Sequence, residues 1–428
     1  MKKFFFFVSL LFFFKNLDAQ FSNFEQFQKT VCRCDVEKKI RDYIQHDREL
    51  EQYYEITHDA FYLFASPENK KNKKPEFILY FCTNQQKPRS CSFVPRCGST
   101  KPFDGLRVAL DPGHLGGIMA HIEERFIDMV LPNKNNEHVK FDEGTLATLT
   151  AQVLKNYLTQ AGAAVLMTRE TPGQAVCPLS FDQWCKQNVG FINDNWLDQK
   201  NQQLALHYLM TSPMPPVYTA ELKTRLSSIN KNNSLEHKAQ LIKQALFRLC
   251  YNQLDLNARA EKINAFEPHI TIIIHYNANG GSSDISPFNY TLAFIPGSFL
   301  NKELSSQSAR YEFVRFLVSN DIEESLRLSK IIMKNMETTL QIPLMNKKTY
   351  QENIAKHIDN GIYSRNLFLT RLIHSPLCYG ETLIQNNQDE ALRLVKTDAV
   401  FDGKAISSRI IQVAQAYFQG ICEYFGFV

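Results

Sequence analysis

The sequence predicts an α/β fold: a mainly parallel twisted sheet with helices on both faces, plus a small N-terminal β-rich or α+β domain and a helical insertion. Three observations lead there. From residue 106 short apolar runs alternate with amphipathic stretches. The runs "RVALD" and "HITIIIHYN" lack the polar alternation of a half-exposed strand, as expected of strands covered on both faces. Each of these two strands is followed within a few residues by a glycine-rich turn.

The chain opens "MKKFFFFVSLLFFFKNLDAQ", with Lys2 and Lys3 ahead of an apolar run from Phe4 to Phe14. This is the layout of a secretory signal peptide over residues 1–19, with cleavage near Ala19, and the run is too short for a permanent membrane span. No cysteine follows it at once and no second long apolar segment occurs, so the mature protein is expected to be exported, periplasmic or secreted, without stable membrane insertion. Losing Lys2, Lys3, Lys15 and Asp18 lowers the formal charge from +4 to +2, which gives no basis for a nucleic-acid partner. Of ten cysteines, five (Cys32, Cys34, Cys82, Cys91 and Cys97) fall before residue 100, where pairing is expected in an oxidising compartment. No Cys-x-x-Cys pair exists to favour a cysteine zinc site.

Residues 20–100 read as a small N-terminal domain of open role. The aromatic runs "YYEITHDAFYLFA" and "PEFILYFCT" resemble two strands joined by the solvated loop "SPENKKNKKP". The catalytic unit spans 104–428. In "LRVALDPGHLGG" Pro112 and Gly113 stop a short strand and leave His114 on the turn at its carboxyl end, the edge of an α/β sheet where ligands bind. In "EGTLATLTAQVLKNYLTQAG" Leu146, Leu149, Val153, Leu154, Tyr157 and Leu158 fall on one helical face and Gly162 is the stop. Residues 171–250 form an interruption with helices near 194–210 and 234–250, whose apolar faces are expected to pack on the main domain. The strand "ITIIIHYNANGG" then carries His275 to the same sheet edge as His114. Glu143 opens the amphipathic helix, where a carboxylate also suits the helix dipole, and Glu381 follows another apolar run in "PLCYGETLIQNN".

Two imidazoles and one carboxylate suffice to hold catalytic zinc with a position left for water, and a second carboxylate can then accept that water's proton. His114, Glu143 and His275 are the expected ligands of Zn2+ and Glu381 the expected general base. Glu123, Glu124 and His121 in "MAHIEERF" compete with Glu143, from which His114 is 29 positions distant.

In these residues the chain resembles the zinc-dependent N-acetylmuramoyl-L-alanine amidases, which cut peptide stems from peptidoglycan. The resemblance covers about residues 104–425 without the insertion. The family pattern of a strand, "DPGH" and glycines matches "LDPGHLGG"; its helix-opening glutamate with a leucine eleven residues on matches Glu143 and Leu154. Its arginine and asparagine look like Arg259 and Asn264 in "LNARAEKINAFEPHITIIIHYNAN", and its catalytic glutamate and asparagine like Glu381 and Asn387. Leu115 stands where glycine is frequent and Ile384 where an aromatic is common.

The resemblance implies hydrolysis of the amide between N-acetylmuramic acid and L-alanine by zinc-activated water. A carboxypeptidase-like zinc enzyme of the wall and a non-catalytic wall-binding protein are the alternatives. It also implies a restraint. Some family members close the site with a helix that a protein activator opens, and here residues 297–325 occupy that place, with Glu303 or Glu312 able to fill the open metal position. A plain surface loop is the competing reading.

Overall fold

A computed structural model describes residues 21–82, 100–132, 135–212, 216–229 and 233–427. The expected signal segment, Cys91 and Cys97 lie outside the described residues. The eight described cysteines carry free thiols, so the expected pairing does not occur among them. No helix among the described residues is long and apolar enough to cross a membrane.

After a short helix α1 (Arg33–Lys39) the N-terminal segment forms a three-stranded antiparallel sheet of β1 (Tyr54–Ile56), β2 (Ala60–Leu63) and β3 (Phe77–Tyr80). Its apolar side chains do not close on themselves. Phe61 and Tyr54 stack on Phe313 at 6.0 and 5.8 Å, and Phe24 meets Tyr311 at 4.7 Å, so one hydrophobic core runs from Phe21 to Tyr424. Arg310, paired with Glu76, closes the same contact with a largely buried ion pair.

The central sheet has seven strands in the order β10-β11-β9-β12-β8-β4-β7. These are β4 (Arg107–Pro112), β7 (Ala164–Met167), β8 (Ile270–Asn277), β9 (Leu292–Ile295), β10 (Ala355–Asp359), β11 (Ile362–Arg365) and β12 (Leu377–Ile384). Strands β7, β4, β8 and β12 are mutually parallel, and β9 is antiparallel to β12. The parallel strands are buried on both faces, which is why they read as uninterrupted apolar runs. Helix α2 (Glu143–Gln160) buries Leu146, Val153, Leu154 and Leu158 against the sheet.

Two additions surround the carboxyl edge of the parallel strands. The hairpin β5 (Phe126–Leu131) and β6 (Glu137–Asp142) fills the chain between β4 and α2, an element absent from the sequence expectations. Ile127, Met129, Leu131 and Val139 alternate inward and pack on Ala391 of helix Gln388–Leu394. The insertion comprises α3 (Gln199–Thr211), α4 (Pro216–Ser227) and α5 (Leu235–Leu246), the last running through a π turn into α6 (Asn252–Phe266). Its apolar faces pack mainly on one another, not on the main domain as expected. Phe181, Trp184, Phe247 and Tyr251 form a separate aromatic core that receives Leu115 from the "DPGHLGG" turn. Leu115 therefore joins the insertion to the turn that carries His114.

Because the N-terminal sheet borrows its core from helix α7 (Gln307–Val318), Phe313→Ala should destabilise both together. Truncating such a buried ring costs about 3–5 kcal/mol. Denaturant unfolding followed by fluorescence and by circular dichroism should show one transition at a lower midpoint; a separate early transition of the N-terminal sheet would contradict a shared core.

Candidate active site

β4 and β8 are adjacent and parallel, so they deliver His114 and His275 to one edge. The two rings meet edge to face with centroids 4.8 Å apart. Gly113 lies directly beneath the His275 ring; a Cβ there would stand 2.4 Å from it, which is why the turn needs glycine at that place. His114 itself adopts a left-handed φ of 55°, a costly conformation for a residue with a Cβ. Arg169 donates to the carbonyl oxygens of both Pro112 and His114 and holds that bend, while buried Arg259 reaches Asp111 and the Pro112 carbonyl.

Glu143 completes the cluster from the first turn of α2. Its neighbour Asp142 takes the capping role, accepting from Thr145 N at 2.8 Å and from Gly117 N at 3.2 Å, and so ties the helix to the "DPGHLGG" turn. Gly116 lets the two backbones meet, since a Cβ there would fall 2.4 Å from Asp142. Freed from capping, Glu143 accepts from Tyr276 N at 3.2 Å, lies 2.9 Å from His275 Nδ1 and 3.4 Å from His114 Nε2. The 29-residue separation is closed by the hairpin: Glu143 N donates to Arg125 O at 3.3 Å, so the chain leaves and returns at one point.

The competitors are placed elsewhere. Glu123 is buried behind His114, 3.5 Å from Nδ1, and accepts from the amides of Leu115 and Gly116 at 2.6 and 3.1 Å. Glu124 pairs with Arg225, and the His121 ring packs on Phe126 at the cavity wall. Donor atoms of His114, Glu143 and His275 lie within 4.8 Å of one another, so this set could hold a metal ion. Burial pushes the His114 imidazole well below its usual pKa, leaving a neutral donor of the kind metals bind. Burial alone would raise Glu143, but the two imidazoles outweigh it and bring the carboxyl down to about 2. Burial would lower His275, yet the hydrogen bond and charge of Glu143 raise it. Cys32, Cys34 and Asp35 form a second group of that size at the start of α1, where burial pushes the Cys32 thiol up to about 12.

Glu381 sits opposite His275 in the β12–β8 register and lines the same cavity of about 680 Å³. Burial pushes its carboxyl up to about 7, with Glu143 adding and His275 and Arg365 opposing. Tyr379, two residues earlier on β12, stacks on the His275 ring at 4.5 Å and 9°. That residue was not foreseen, though the i, i+2 alternation of a strand places it on the face of Glu381. Gln385, also not foreseen, is buried and donates to the Tyr276 carbonyl at 2.9 Å and to Glu143 Oε2 at 3.4 Å.

Two residues carried over from the family pattern hold loops instead of reaching the cavity. Asn264 donates to Leu372 O at 2.8 Å and accepts from His374 N at 2.9 Å. Asn387 caps the helix Gln388–Leu394 and bonds the carbonyls of Ser286 and Phe288. Nor do residues 297–325 form the restraint that competes with a surface-loop reading. β9 runs antiparallel to β12, so the chain after it leaves at the opposite edge of the sheet from the cavity. Glu303 there accepts from Leu300 N and Asn366, and Glu312 pairs with Arg315 and His374. Neither reaches the metal-sized cluster.

No family model and no curated protein matches the chain. Among solved structures, the CwlD amidase of Clostridioides difficile in complex with the GerS lipoprotein matches at 15% identity and a TM-score of 0.39, over 76% of this chain and 100% of that one. The N-acetylmuramyl-L-alanine amidase Ami1 of Mycobacterium abscessus matches at 15% and 0.37, over 75% and 99%. AmiC2 of Nostoc punctiforme matches at 13% and 0.35, over 76% and 99%. The chain is similar to N-acetylmuramoyl-L-alanine amidases.

Glu123, which orders the turn behind His114, should govern metal affinity without touching the metal. Groups so placed are worth ~10–100-fold in metal affinity. Glu123→Gln should therefore release zinc to a competing chelator 10–100-fold more readily, with an unchanged circular dichroism spectrum. An unaltered competition curve would assign Glu123 to folding alone.

Proposed function

We propose that this protein is an exported, zinc-dependent hydrolase of peptidoglycan that cleaves the amide bond between N-acetylmuramic acid and L-alanine. The convergence of His114, Glu143 and His275 beside Glu381 in one cavity carries the reading. Two nitrogens and one oxygen, with a cavity on the open side, suit a catalytic site better than a closed structural one. A bound zinc ion would supply a water of lowered pKa and polarise the scissile carbonyl.

The chain's own residues account for the rest. Glu381 faces the cavity from the strand beside His275 and does not belong to the metal-sized cluster, so its carboxylate is free to accept a proton from water and return it to the leaving alanine nitrogen. Tyr379 fixes the plane of the His275 ring, and Glu143 fixes its Nδ1 side. A metal-free binding protein would have no use for a carboxyl held at the mouth of such a cluster.

Digestion of purified peptidoglycan, read by mass spectrometry, tests the bond. New L-alanine amino termini and intact muramic lactyl groups are expected, only with zinc present; shortened stems carrying new carboxyl termini would mean a carboxypeptidase instead. Glu381→Gln should keep zinc and lose on the order of 10²–10⁴-fold in turnover, because the amide keeps the shape and cannot take a proton. His275→Ala should lose zinc as well. Near-normal turnover by the Gln variant would remove Glu381 from the mechanism.

The pH profile gives a second handle. Burial lifts the Glu381 carboxyl to about 7 in the metal-free chain, and a base is lost as pH falls through its pKa, so kcat/KM of the zinc-loaded chain should decline on the acid side, below about 7. A bound cation draws that limb down toward the ordinary carboxylate range. The limb should vanish in Glu381→Gln; a limb of unchanged position in that variant would assign it to another group.

A further inference from the structure

One charged group in the cavity is not used by the chemistry above. Arg365, at the end of β11, lines the cavity and is half-buried. Among the described residues its guanidinium makes no ion pair and no side-chain hydrogen bond. It lies over the face of the Phe294 ring, 5.2 Å away, and its charge acts on Glu381 and Tyr379 without a direct bond to either. The fully buried arginines among the described residues are held differently: Arg169 donates to the carbonyls of Pro112 and His114, and Arg259 is paired with Asp111 and Asp255, Arg310 with Glu76, Arg315 with Glu312 and Asp321, and Arg409 with Glu390. An arginine stacked on an aromatic ring and turned toward solvent in a cavity keeps its donor fork free, and that fork matches a carboxylate in two parallel hydrogen bonds.

Its position is set by a ladder of contacts across four strands. His275 on β8 stacks on Tyr379 of β12 at 4.5 Å, Tyr379 meets Phe294 of β9 at 6.0 Å, and Arg365 of β11 lies over Phe294. The guanidinium is thus held by a rigid aromatic row on the side of the cavity away from the insertion. Three strand spacings of ~4.8 Å separate β11 from β8, so at ~3.4 Å per residue of extended chain it stands about four residues from the metal-sized cluster.

We propose that Arg365 is the anchor for a free carboxylate on the peptide part of the substrate, within about four residues of the bond that is cut. The inference rests on the peptidoglycan reading above and deepens it. The glycan of that polymer has no free carboxylate once its lactyl group is in the amide, so an arginine of this kind selects the stem. It also orients the substrate, with the peptide running over β12 and β9 toward β11 and the glycan directed to the side of His121 and the insertion. No covalent step is involved, and the acid and amide forms of one stem differ only in the charge that Arg365 reads.

The test compares two soluble substrates with the zinc-loaded full chain: an N-acetylmuramoyl peptide L-Ala–D-Glu–L-Lys–D-Ala–D-Ala with both stem carboxylates free, and the same molecule with both as amides. Losing a hydrogen-bonded pair with a charged group corresponds to on the order of 10- to 100-fold. Wild type should prefer the acid by that factor in kcat/KM. Compared at a pH where Glu381 is ionised with or without the arginine's charge, Arg365→Gln should slow the acid 10- to 100-fold more than the amide and so lose the preference, and Arg365→Lys should keep part of it. Turnover of the amide form by the Gln variant serves as the check that it folds and holds zinc. Equal loss on both substrates, or no preference in the wild type, would overturn the role of Arg365 and leave the amidase reading standing. Cleavage of neither substrate at the muramoyl–alanine bond by the wild type would overturn both.

Discussion

The carboxylate of Glu143, buried between two imidazoles, is the interaction on which the rest of the site depends. It brings together a helix start and the ends of two strands, with the carboxylate itself shielded from solvent. Removing one member of a buried charged group leaves the others uncompensated, typically at about 3–5 kcal/mol. The surroundings are built to meet that constraint. Gly113 makes room for His275, Asp142 relieves Glu143 of capping, and Arg169 holds the left-handed bend at His114. A group of titratable side chains held this tightly, with its neighbours committed to orienting it, is what a metal site requires and what a mere ion pair does not.

Around that centre, the two additions to the sheet have separate tasks. The β5–β6 hairpin leaves and rejoins the chain at one hydrogen bond, so it lengthens the connection between His114 and Glu143 without moving either. The short segment leading into it places Arg125 and His121 at the cavity. The insertion builds its own aromatic core and grips the turn through Leu115, adding Gln240 and Gln244 to the wall. The far side of the cavity is the aromatic row ending at Arg365. Polar and charged groups thus line a site whose floor is a rigid sheet, an arrangement suited to a long polar substrate.

Much of this was legible from the residues. Parallel strands buried on both faces leave continuous apolar runs, so β4 and β8 stand out, and a glycine-rich exit from such a strand marks the edge where His114 and His275 lie. The amphipathic face of α2 singled out Glu143 over Glu123, and the structure places Glu123 behind His114 instead. What was not legible depends on partners distant in sequence. The hairpin was written in the alternation of Ile127, Met129 and Leu131, but short strands of this kind need a surface to pack on, and Ala391 supplies it. The direction of β9 carries no local signal, and with it the wrong edge was assigned to residues 297–325. Asn264 and Asn387 have the types and spacings of the family pattern, yet their hydrogen bonds go to backbone groups of loops that only the fold brings near them.

The central claim is that His114, Glu143 and His275 hold one zinc ion in an open site. Crystallographic anomalous diffraction collected on either side of the zinc absorption edge tests it most directly. The account predicts a single strong peak between His114, Glu143 and His275, about 2.0–2.2 Å from their donor atoms, with a further position left to water. A zinc-loaded crystal with no peak there, or with its peak at Cys32, Cys34 and Asp35 instead, would contradict it.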